Sequence, residues 1–129
     1  MWVRAMMLGA VAYVAIGVGF AALGAANHGR LWRLAAWVAS AAVAAVHIGY
    51  EHSRPDSSPR ATALHAAGAV ALGAFGLALA AKVHWLLAGT HAQRPPLLAL
   101  PVWPVITAVP AFLGARAVAA VLARFSRRA

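Results

Sequence analysis

The chain's 129 residues are 64% hydrophobic and 10% charged, with 11 Lys and Arg, 2 acids and a formal net charge of +9. Soluble domains run at about 45–50% apolar and about 25% charged, so disorder is excluded, and a chain this short has too little interior to hide such an excess from water. Cysteine is absent, which removes disulfides, thiolate metal sites and a cysteine nucleophile from consideration.

The basic residues punctuate apolar runs instead of clustering, a pattern of membrane topology and contact with anionic lipid, not of nucleic-acid binding. Four such runs come near the ~20 residues a helix needs to cross ~30 Å of hydrocarbon. The sequence therefore predicts an all-α integral membrane protein: a single domain over 1–129 whose four transmembrane helices form an antiparallel bundle.

The first span covers about 5–26 and ends at Asn27-His28-Gly29-Arg30, where Gly29 and its polar neighbours suit a helix stop and turn. Arg4 ahead and Ala25-Ala26 behind give it the outline of a secretory signal, but the apolar run exceeds the ~7–15 residues of a signal core, so an uncleaved span is expected. The second covers about 31–50, with Arg33 near its start, Trp32 and Trp37 as interfacial anchors, and His47 near its end. Ten polar residues follow, from Glu51 to Arg60, including Asp56, two prolines and three serines. Within them Ser58-Pro59 reads as a helix start, because serine caps free amides and proline lacks an N–H where none is needed.

The third span, about 61–81, reaches its far interface at Lys82 and Trp85, and 89–96 is again turn chemistry. The fourth, about 97–115, contains Pro101, Pro104 and Pro110; the last removes the partner of the Ile106 carbonyl, which Thr107 or packing neighbours are expected to satisfy. Residues 116–129 place Val118, Val121, Leu122 and Phe125 on one face and Arg116, Arg124, Arg127 and Arg128 elsewhere. This predicts either a basic amphipathic tail on anionic lipid headgroups or a prolonged fourth span.

Counting Lys and Arg at the two ends gives seven on the side of both termini and four on the other. Excess positive charge stays inside, so the N- and C-termini are expected in the cytoplasm, with the chain a multi-pass protein of the cell (inner) membrane. Small residues provide close-approach stripes: Ala10, Gly17, Ala21 and Gly24 in the first span, Ala35, Ala39, Ala42 and Gly49 in the second, and Gly68, Gly73 and Gly76 in the third. Tight packing with little room for a large cavity is the expectation.

Ionisable groups inside spans are functional candidates by default. Of six histidines, His28, His52 and His91 fall in expected connections and His84 beside an interfacial Trp, whereas His47 and His65 face each other across the second turn at similar shallow depth. His47 and Glu51 are one helical turn apart, on a stripe with Ser40 and Arg33. Glu51 sits at a helix C-terminus, which disfavours a negative charge, so a cation is required nearby: His47, His52, Arg54, Arg60 or His65.

Three readings follow. The first is an ion-pair network fixing the hairpin. The second is a cofactor or metal site, with His47 and His65 holding haem iron or, joined by Glu51, a divalent metal in a redox subunit. The third is a proton or cation path through Glu51 and His47 in a small transporter. Phosphate loops, H-E-x-x-H and G-x-S-x-G are absent, and Ser40 lies two turns from His47. The sequence thus points away from an enzyme and toward a non-enzymatic structural or accessory membrane component, alone or in a homo- or hetero-oligomer.

Overall fold

The computed structural model describes residues 2–24, 29–54, 58–88 and 97–126. Among these residues there are four helices and no strand: α1 (Trp2–Gly24), α2 (Gly29–His52), α3 (Pro59–Ala88) and α4 (Ala99–Ser126). Each is long and apolar enough to cross a membrane. The expected turn at residues 27 and 28, Asp56 and the 89–96 connection lie outside the described residues, as do Arg127 and Arg128.

Helix ends follow from local hydrogen bonding. Ser58 Oγ accepts from the Ala61 N–H at 3.1 Å and Ser58 O from the Thr62 N–H at 3.0 Å, so α3 starts at Pro59 as the Ser-Pro pair predicts. At the end of α2 the Ser53 hydroxyl donates to Tyr50 O at 2.7 Å, while the Ser53 and Arg54 amides donate to Gly49 O and Glu51 O. Those bonds satisfy carbonyls that the helix end leaves open. Gly29, expected in a turn, is instead the first residue of α2.

Two helices outrun their predicted spans. α3 does not stop at Lys82: the ammonium lies 5.0 Å from the Trp85 ring centre, a contact that accommodates the charge while the helix runs on to Ala88. α4 passes Gly114 unbroken to Ser126 and buries Ala115 and Ala119. As far as Ser126 the basic tail is therefore a continuation of the fourth helix. At 1.5 Å per residue α3 is about 45 Å long and α4 about 42 Å, so both project beyond ~30 Å of hydrocarbon.

The prolines of α4 are handled differently from the expectation. Pro101 falls in the first turn, where no amide is needed, and Leu97 O and Leu98 O receive the Leu100 and Val102 amides. The Thr107 hydroxyl bonds Trp103 O at 2.9 Å and Pro104 O at 3.1 Å, not the Ile106 carbonyl exposed by Pro110. Side-chain direction explains this: a helical threonine hydroxyl points back along the helix to the carbonyls three and four residues before it.

α3 is the central helix, with 33% of its apolar window buried against 11% in each of the others. It packs on all three neighbours, most extensively on α4 and α1, whereas α1 and α4 do not touch among the described residues. Along the α1–α3 seam, Trp2 meets His65, and Cβ atoms built on Gly68, Gly73 and Gly76 would strike Met6, Tyr13 and Val14. Numbers rise together, so these two helices run parallel, each antiparallel to the helix that follows it. The third-span glycines are thus close-approach points, as predicted.

The α2 stripe is different: Ala42 and Gly49 are exposed, and nothing lies within 4 Å of a Cβ on Gly49. In α1, Ala21 is exposed and the buried pair is Gly9 and Ala10. The core is small throughout, with Ile48, Ala63, Ala66 and Ala115 forming one cluster against Phe112 and Leu122. Large apolar side chains point outward, as at Leu8, Trp37, Val46 and Leu87. That inversion fits a bundle surrounded by lipid, where helices associate through close packing and not through hiding bulky groups from water.

Candidate functional site

The hairpin end of the bundle gathers the polar side chains. α2 turns Glu51 inward until it is 3% exposed, and α3 brings His65 to it two turns after the Ser58 cap. The His65 Nδ1 to Glu51 Oε2 distance is 3.0 Å. An ionised carboxylate only accepts, so in that state the imidazole donates from Nδ1. Of the five cations offered by the sequence, His65 stands within hydrogen-bond distance of Glu51. Arg54 turns away, donating from Nη2 to the Tyr50 hydroxyl at 2.6 Å with its guanidinium carbon 4.7 Å from that ring's centre.

α1 contributes a third member that the sequence reading missed. The Trp2 ring stacks on the His65 imidazole, with centroids 4.9 Å apart and planes 6° from parallel. The available signal was topological: in an up-down-up chain the first turn of α1 lies at the same end as the first turns of α3.

His47 is buried, one turn below Glu51 on the same helix, with Gly9 of α1 beside it. A Cβ on Gly9 would stand 3.3 Å from His47 Nδ1 and 3.2 Å from Ala69 Cβ, so glycine makes room for the ring there. Three buried polar atoms, His47 Nε2 and Glu51 Oε1 at this end and Lys82 Nζ at the far end of α3, have no hydrogen-bond partner among the described residues. Of the polar stripe proposed for α2, Arg33 is exposed and Ser40 half-buried, so the stripe points inward only in the last turns.

His52 belongs to the last turn of α2 and not to a connection, and His84 is exposed on α3; His28 and His91 lie outside the described residues. Trp32 meets Phe20 with centroids 5.9 Å apart, tying the far ends of α1 and α2 together, whereas Trp37 faces outward.

Among the described residues, no three His, Cys, Asp or Glu side chains are grouped to hold a metal ion, so His47, Glu51 and His65 do not form a three-ligand set. The sequence led us to expect little cavity space, yet α1 and α2 part toward the hairpin end. The open apolar groove between them has a volume of about 700 Å3; its lining includes His47 but neither Glu51 nor His65. The two candidate haem ligands therefore do not share it. Comparison with known protein families, curated proteins and solved structures finds no match to the chain.

Proposed function

We propose that this chain is a small non-enzymatic membrane component, structural or accessory to a larger assembly, whose polar cluster serves to hold the bundle together. The Glu51–His65 contact carries the reading: a 3.0 Å bond at a nearly sealed position joins α2 to α3, which otherwise touch sparingly. Trp2 extends the same fastening to α1. Outward-facing apolar side chains offer ample surface to lipid, to a second copy or to another membrane subunit. In this proposal the chain sits in the cell membrane with both termini cytoplasmic, and exposed Arg116 and Arg124 on α4 meet anionic headgroups.

A second reading draws on the two partnerless buried atoms at the hairpin end. Glu51 Oε1 and His47 Nε2 lie on successive turns of α2, the placement a short proton path would use. The two readings separate in one set of measurements. A fastening can be replaced by apolar packing, so Glu51→Leu/His65→Leu should keep the thermal midpoint of the detergent-solubilised parent within about 3 °C. Liposomes holding the parent should show no proton flux above empty vesicles. A flux that disappears in Glu51→Gln overturns the structural reading and installs the proton path.

A further inference from the structure

The groove between α1 and α2 has features that holding the helices together does not require. Its lining includes Ala5, Gly9, Ala12 and Ala42, whose small side chains fill little of it, together with Leu8 and Val46. From Arg4 to Ala12, and from Tyr50 back to Ala42, it runs eight residues, or about 12 Å of helix. Beyond that depth α1 and α2 come together at Phe20 and Trp32. A packed transmembrane helix would need a seam of about 30 Å, the depth of the hydrocarbon. This short recess is the length of part of one acyl chain.

Its mouth is cationic. Arg4 lines it from α1; Tyr50 lines it from α2 and holds the Arg54 guanidinium against its ring and hydroxyl. Arg54 spends one donor on Tyr50, and a guanidinium carries further donors in a planar fork, the geometry that grips phosphate. Glu51, the one carboxylate among the described residues, is committed to His65. The mouth therefore sets two guanidinium groups, those of Arg4 and Arg54, beside an apolar trough.

We propose that this groove is a binding site for an anionic phospholipid of the surrounding bilayer, its phosphate held between Arg4 and Arg54 and one acyl chain laid against Ala5, Gly9, Ala12 and Ala42. The site is separate from the Glu51–His65 pair, and its test does not depend on that pair's role.

The test is native mass spectrometry of the full chain, released from micelles containing equimolar phosphatidylglycerol and phosphatidylcholine. The parent should retain phosphatidylglycerol preferentially. Arg4→Gln/Arg54→Gln should lower that preference by about thirtyfold, the effect of two interfacial cations. Ala42→Phe, which fills the trough from an exposed position, should reduce retention of both lipids. Arg116→Gln/Arg124→Gln removes the same charge from α4, away from the trough, and should lower the preference by clearly less than the groove variant. Equal retention of the two lipids by the parent overturns the proposal. So does an unchanged preference in Arg4→Gln/Arg54→Gln, unchanged retention in Ala42→Phe, or an equal loss in the α4 variant, which would reduce the effect to overall charge.

Discussion

Glu51 is a carboxyl group kept in a sealed position with one oxygen on His65. Substitutions that remove different halves of the contact should therefore differ in cost. Glu51→Gln retains an oxygen to accept from Nδ1 and should destabilise the protein by about 1 kcal/mol, the worth of an ordinary hydrogen bond. His65→Ala leaves the carboxylate buried without its partner and removes the surface under Trp2, at about 3 kcal/mol. Unfolding of the solubilised protein by added denaturing detergent measures both; a larger loss for Glu51→Gln than for His65→Ala would show that His65 is not what holds Glu51. The need for a cation near Glu51 was legible from its place at a helix end. The choice of His65 over Arg54 was not, because it depends on Tyr50 drawing the guanidinium away through a bond and a ring face that no charge count contains. Trp2 was invisible for a related reason: its role rests on α1 lying beside α3, a pairing of helices that are not consecutive.

At the level of single helices, glycines with identical sequence signatures do different things. A Cβ on Gly73 would sit 2.7 Å from Tyr13 Cβ and 3.4 Å from the Ala10 carbonyl oxygen, atoms that move only with α1 itself. A Cβ on Gly17 meets the terminal methyls of Leu77, and one on Gly68 the sulfur of Met6 at 2.8 Å, flexible ends that can swing aside. Gly73→Ala should thus cost about 1–3 kcal/mol, while Gly17→Ala and Gly68→Ala each cost under about 1 kcal/mol. Gly114 has open space around it, so Gly114→Ala should be neutral or stabilising by up to about 1 kcal/mol through helix propensity. The four midpoints in one denaturing-detergent series check the ranking, and equal losses at Gly73 and Gly114 would contradict it. Spacing of small residues picked out the α3 face correctly, since Gly68, Gly73 and Gly76 all meet α1. On α2 it held only in part: Ala35 and Ala39 are half-buried, whereas Ala42 borders the groove and Gly49 stands exposed. In an alanine-rich helix several faces look equally small, and only the large side chains of the neighbour decide which one is used.

For the whole molecule the number of spans, the absence of cysteine and the placement of charge combine into one test of topology. Four helices return the chain to its starting side, so α1's first turn, the α2–α3 hairpin and the end of α4 must share a face, and the start of α4 must lie on the other. With no native thiol, each introduced cysteine reports alone. Ser53→Cys, at the hairpin, and Arg124→Cys, near the end of α4, should react with an impermeant maleimide only after intact cells are permeabilised. Leu97→Cys, beside the start of α4, should react at once. All three side chains border helix ends and are exposed, so access to reagent is governed by the membrane and not by packing. The seven-to-four division of Lys and Arg sets the direction of this result, because moving the richer end across the bilayer is opposed. Labelling of Ser53→Cys and Arg124→Cys alone would invert the orientation while leaving the bundle standing. Simultaneous labelling of Ser53→Cys and Leu97→Cys in intact cells would mean that α3 does not cross, and a fold with α3 at its centre would not survive that result.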